Sequence, residues 1–156
     1  MSSLMDSLRE WAGGKSVVVV GVGNELRGDD GAGVAVVREL QRKGLRAVAA
    51  GETPELYTDV IKGLACPKVL FVDAVDLGKN PGDVALLRAD ELADNRWDAH
   101  RPSLSLVMRY LEQEGAGECL LLGIQPAQIT FGQSMSAAVR TAVEQISALL
   151  WELLAK

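Results

Sequence analysis

Hydrophobic positions along this chain follow two patterns, short unbroken apolar runs and stretches with helical spacing. "KSVVVVGVG" (15–23), "PKVLFVDAV" (67–75) and "ECLLLGIQP" (118–126) are apolar runs without alternation. A strand of that kind is buried on both faces, as in a largely parallel sheet. "RAVAAGE" (46–52) reads as a shorter strand, and "DVALLRAD" (83–90), after the turn signal "GKNPGD", as another. That short connection allows the latter to run antiparallel to its predecessor.

Between these runs lie the helical patterns. Gly31 to Gln41 carries Val36, Val37 and Leu40 on one side. Thr53-Pro54-Glu55 has the N-cap and first-turn chemistry of a new helix, with Leu56, Val60 and Leu64 recurring every fourth residue. Leu104, Val107, Met108 and Leu111 mark a helix stopped by Gly115, and Val139, Val143, Ile146, Leu150 and Leu153 mark a long last one. Residues 90–103 read as loop with one helical turn, and Leu4, Leu8 and Trp11 share a side of an extra N-terminal helix within residues 1–15. Strands alternating with helices predict an α/β domain: a three-layer α/β/α sandwich around a mostly parallel, five-stranded twisted sheet, in one domain over 1–156.

Composition narrows the function classes. No apolar run approaches the roughly 18 residues of a membrane span, and the charged start "MSSLMDSLREWAGGK" lacks the order of a secretory signal. The expected location is the cytoplasm. A net charge of −5 disfavours nucleic acid as a partner, because that affinity rests on Lys and Arg. Cys66 and Cys119 form no CxxC pair and read as reduced thiols in or near the core.

In an open α/β sheet, ligands bind beyond the carboxyl ends of the strands. Those ends carry Asn24, Glu25, Asp29 and Asp30; then Gly51, Glu52 and Thr53; then Asp73 and Asp76; then Gln125 and Pro126. The only histidine, His100, precedes the Leu104 helix. A dinucleotide loop fits poorly, since Gly21-x-Gly23 is followed by Leu26 where the third glycine belongs, and Asp29-Asp30 would repel a pyrophosphate. Convergence of Asp30, Asp73 and His100 would instead offer oxygen and nitrogen ligands to zinc, nickel or a similar ion. Spacing alone leaves plainer roles open: an Asp at a helix start caps it, an Asp after a strand forms a turn, and a His in a polar loop is solvated. Gly21, Gly23, Gly28, Gly31 and Gly33 suit either close approach of a substrate tail or tight turns and helix packing.

At these residues the sequence resembles the hydrogenase maturation endopeptidases. The pieces, in order, are "GVGNELRGDDGAG", "GETPE", "VLFVDAVDLGKNPGDV", "DAHRPSLSL" and "LLLGIQPAQITFGQSMS". "GIQP" and "VDAVDLGKNPG" resemble most the branch that processes hydrogenase 3 and similar enzymes. The resemblance implies an endopeptidase that removes the C-terminal extension of the nickel-loaded precursor of a nickel-iron hydrogenase large subunit. It implies Asp30, Asp73 and His100 as the metal-recognising and catalytic set, with nickel supplied by the precursor and no permanently bound cofactor. Asn24, Gly51, Thr53 and Gln125 are the expected substrate contacts, Thr53 being accounted for equally well as a helix cap. "HRPS" departs from the residues that follow the histidine in some relatives.

Two chemical routes are open. Nickel held by Asp30, Asp73 and His100 could polarise the scissile carbonyl or a water as a Lewis acid. Alternatively the ligands only dock the metal, and Asp29 or Asp76 acts as general base on water. Clustered carboxylates repel each other, so an empty site is poised to gain a cation. A non-catalytic nickel-sensing chaperone would need the same ligands, and a nucleotide-binding α/β enzyme is the third reading.

Overall fold

A computed structural model describes residues 2–93 and 103–155. Among the described residues, six α-helices and five strands follow one another as α1 (Ser2–Ala12), β1 (Val17–Val22), α2 (Ala32–Arg42), β2 (Ala47–Gly51), α3 (Thr58–Leu64), β3 (Lys68–Ala74), β4 (Val84–Leu87), α4 (Ala89–Leu92), α5 (Leu104–Gln113), β5 (Glu118–Ile124) and α6 (Ala137–Leu154). Strand order is β2-β1-β3-β5-β4, with only β4 antiparallel. The mostly parallel sheet flanked by helices on both faces agrees with the sequence.

The unbroken apolar runs have a direct cause: each strand buries both faces. Val19, Leu70, Val72, Leu120 and Leu122 pack with α1, α2 and α6, while Val18, Val20, Phe71, Cys119 and Leu121 pack with α3, α4 and α5. The extra N-terminal helix is part of the first layer, where Leu8 is fully buried and α1 lies against α6. No helix among the described residues is long and apolar enough to cross a membrane.

Two expectations are corrected. β4 is antiparallel, but it pairs with β5 at the sheet edge rather than with β3, its predecessor in sequence. The connection 75–83 passes the end of β5, where Gln125 N–H donates to Asp83 O and Gly82 N–H to Gln125 O. The Leu56-Val60-Leu64 stripe is also not the buried face of its helix. Pro54–Tyr57 winds as a 3-10 turn before α3 starts, which shifts the helical phase. Ile61 is buried instead, while Leu56 and Val60 are exposed.

Cys119 is buried and Cys66 half-buried, and both are free thiols. Burial, with Glu112 and Glu118 nearby, pushes the Cys119 thiol up to about 12. A thiol reagent at neutral pH should therefore modify Cys66 in the native protein and Cys119 only after unfolding. Because the unfolded thiol ionises above about 8.5 and the folded one does not, Cys119 makes stability fall as pH rises from there toward about 12. Equal native labelling of both thiols would contradict its burial.

Candidate active site

The sheet reverses its winding at β1 and β3: α2 leads outward to β2, whereas β3 lies on the other side of β1. That switch point leaves a crevice beyond the carboxyl ends of the two strands. The sequence fits the local structure closely. After β1 the chain makes an Asx turn, in which Asn24 Oδ1 accepts from Leu26 N–H at 2.8 Å, and then a 3-10 turn, Gly28–Gly31, leading into α2. Gly33 in the first turn of α2 lies so close to the sheet that an added Cβ would stand 2.0 Å from Val72 O and 2.6 Å from Val22 O. Its role is helix–sheet packing, as is that of Gly21, while Gly31 lets the turn approach the backbone of Asn24 and Glu25.

The 3-10 turn packs on β3, so the turn carrying Asp30 lies against the strand whose penultimate residue is Asp73. Both carboxylates are buried, each 3% exposed. Asp30 Oδ2 accepts from Asn24 N–H at 3.0 Å, which aims its side chain back across the loop. Asp73 Oδ1 accepts from Ala74 N–H at 2.8 Å, and its residue pairs with Gly123 of β5. Burying two acids at one sheet edge is costly for folding, so their retention there points to function. Among the described residues no group of three or more His, Cys, Asp or Glu side chains is placed to hold a metal. The third expected member, His100, lies outside the described residues.

The remaining expected positions divide. Asn24 shapes the loop, through its side-chain oxygen and its backbone bond to Asp30. Gly51 ends β2 with a positive φ of 61°, its carbonyl accepting from Gly23 N–H at 2.8 Å. Thr53 is exposed and makes no side-chain cap bond, so the capping role is corrected; its carbonyl accepts from Leu56 N–H. Gln125 is engaged inside the chain rather than toward a substrate. Its Oε1 accepts from Leu77 N–H (2.6 Å) and Lys79 N–H (3.2 Å), and its Nε2 donates to Asp76 Oδ1 (3.2 Å) and Pro126 O (3.1 Å). Those four bonds exhaust the amide, so Gln125 staples the 75–83 connection at the site's edge.

Of the two carboxylates considered as bases, Asp29 is fully buried and its oxygens accept from Ala127 N–H, Gln128 N–H, Ser136 N–H and Ser136 Oγ. It is unavailable to water. Asp76 is exposed, with Oδ1 accepting from Gly78 N–H and from Gln125. The bond network joining Asp29 to Ser136 was not visible in the sequence. A Ser before "AAVRTAVEQI" signals a helix cap, and Ser136 does cap α6, but its second partner lies 107 residues away. Glu25 and Arg38 form a paired contact at 2.8 Å that ties the first loop to α2, and the guanidinium holds the Glu25 carboxyl below its ordinary range.

Comparison with known proteins decides the family. The pattern described as hydrogenase maturation protease matches residues 34–152. The chain belongs to that family. Among its relatives are the hydrogenase 3 maturation protease of Escherichia coli K12, 33% identical over 141 residues (86% of this chain, 90% of the relative), and a putative hydrogenase maturation protease of Methanocaldococcus jannaschii, 33% identical over 139 residues (82% and 80%). The solved [NiFe] hydrogenase maturation protease HycI of Thermococcus kodakarensis KOD1 superposes with a TM-score of 0.87 at 27% identity, covering 96% of this protease and 99% of that chain. The crystal structure of a hydrogenase 3 maturation protease superposes at 0.76 with 30% identity, over 86% and 88%. The protease therefore falls in the hydrogenase 3-type branch, as "GIQP" and "VDAVDLGKNPG" suggested.

Proposed function

We propose that this endopeptidase removes the C-terminal extension of a nickel-iron hydrogenase large-subunit precursor, and that Asp30, Asp73 and His100 meet the nickel which the precursor carries. The observation that carries the reading is the burial of Asp30 and Asp73 on adjacent segments at the switch point of a maturation-protease fold. Two oxygen donors and an imidazole form a set suited to a borderline cation such as nickel or zinc. α5 begins at Leu104 and returns to β5 through four residues, so its first turn lies at the carboxyl edge of the sheet; Ser103 there follows His100 by three positions in sequence.

Nickel enters as part of the substrate. The chain's own contribution is recognition and orientation: Asn24 N–H orients Asp30, the end of β3 presents Asp73, and exposed Leu26 and Phe131 offer apolar contact to an extended tail. The backbones carrying these two side chains are joined by Gly132 N–H donating to Leu26 O at 2.8 Å. If a carboxylate serves as general base on water, exposed Asp76 suits the role better than Asp29, which is fully buried and bonded within the chain.

Titration with nickel, zinc or cadmium tests the ligand assignment without the precursor. The wild-type protein should bind one equivalent, and His100→Ala should bind at least about 10-fold more weakly. Unchanged affinity in His100→Ala would remove that residue from the site.

A further inference from the structure

Asp29 adjoins Asp30 in sequence yet is used in the opposite way. Its carboxylate is fully buried and accepts four bonds, all from residues 127–136: Oδ2 from Ala127 N–H (2.8 Å), Gln128 N–H (3.3 Å) and Ser136 Oγ (2.8 Å), and Oδ1 from Ser136 N–H (2.7 Å). Full burial and these four bonds turn the carboxylate away from solvent and toward the 127–136 segment. Three backbone bonds run alongside, from Asp29 N–H to Gln128 O, Gly28 N–H to Gln133 O and Gly132 N–H to Leu26 O. Ser136 is also the N-cap of α6, accepting from Val139 N–H, so the Asp29 charge sits at the amino end of an 18-residue helix.

We propose that Asp29 is a positioning residue, whose carboxylate clamps the 127–136 segment and the start of α6 to the first loop and so fixes the carboxylate of Asp30. The link to Asp30 is short. Asp30 N–H donates to Arg27 O, and Asn24 N–H donates to Asp30 Oδ2, so these two attachments of Asp30 belong to the loop that the clamp immobilises. Asparagine at position 29 would turn an NH2 toward at least one of the four donors, which opens one side of the clamp without changing side-chain volume.

The inference rests on the reading that Asp30 meets the metal of the substrate, and the test separates the two. Asp29→Asn, Asp30→Asn and a core variant, Leu149→Ala, are compared in the full chain well below their melting temperatures. Amide exchange, cadmium affinity, and kcat and KM for cleavage of nickel-loaded precursor are measured. Asp29→Asn is expected to speed exchange at Ala127, Ser136 and Asn24, and to lower both kcat and cadmium affinity about 10-fold or more. Leu149→Ala, buried in α6 away from the clamp, is expected to lose thermal stability and keep both. A folded Asp29→Asn with wild-type kcat and affinity, or equal losses in Leu149→Ala, overturns the clamp while leaving an inactive Asp30→Asn explained. A fully active Asp30→Asn overturns the reading of Asp30 and the proposal with it. Should Asp29→Asn fail to fold, Ser136→Ala, which removes one of the four bonds, should show smaller losses in the same direction; wild-type values there contradict the clamp equally.

Discussion

Asp73→Asn should lower kcat/KM for precursor processing by at least about 100-fold while shifting the melting temperature by no more than a few degrees. The two outcomes follow from one geometry. Asparagine keeps the shape of the side chain, and its amide oxygen can still accept from Ala74 N–H, as Asp73 Oδ1 does at 2.8 Å. It cannot supply the anionic oxygen of a carboxylate ligand, so the site loses one negative charge toward the metal. Strand β3 is central, held by β1 on one side and β5 on the other, so the end of the strand stays in place. Lost processing with retained stability would mark Asp73 as functional, since residues that serve packing lose both together. Substantial processing by Asp73→Asn would remove it from the recognition set.

Gly33→Ala should give the largest loss of stability of any single methyl addition in the chain, about 3 kcal/mol or more. The new Cβ would stand 2.0 Å from Val72 O and 2.6 Å from Val22 O, both backbone atoms in central strands that cannot turn aside as a side chain would. The start of α2 must lift, and Asp30, three residues earlier, must move with it. Activity should therefore fall even in the fraction that remains folded. Gly63→Ala is the matched control. A Cβ at Gly63 in α3 meets nothing within 4 Å, and helix propensity favours alanine by up to about 1 kcal/mol. Urea denaturation of the two variants beside the parent measures the difference. A Gly33→Ala protein as stable as the parent would contradict the close approach of α2 to β1 and β3.

Much of the fold was legible because strands buried on both faces leave an unmistakable trace. "VVVV", "VLFV" and "CLLL" could not alternate, since Val18 and Val19 face different helical layers, as do Leu70 and Phe71. Helices with a single buried stripe, such as α2 and α5, were equally visible. α3 was misread in phase because Pro54 opens a 3-10 turn of about three residues per turn, and a pattern counted at 3.6 drifts off the buried face. The place of β4 was not legible, because the chain from β3 is long enough to pass β5 and periodicity says nothing about which edge a strand joins.

For the site, the rule that ligands gather at strand carboxyl ends led to Asp30 and Asp73, and the structure buries both at the switch point. Gln125 was found by the same rule and has another use, because position at a strand end does not reveal that three of the amide's four bonds go to residues 46 to 49 positions away. Of the Asp-Asp pair, the family resemblance singled out Asp30, while the use of Asp29 had no trace in the sequence. The three-dimensional partners of Asp29, in particular Ser136, show where that carboxylate is engaged.

Cleavage is proposed to depend on a nickel ion brought by the substrate and met by Asp30, Asp73 and His100. The most direct test of that dependence is intact-mass spectrometry of a hydrogenase large-subunit precursor, prepared with and without nickel, after incubation with the protein. The nickel-loaded precursor alone is expected to lose its C-terminal extension, and Asp73→Asn to leave it whole. An intact nickel-loaded precursor in stable complex with the wild-type protein, or equal cutting of the nickel-free form, would contradict it.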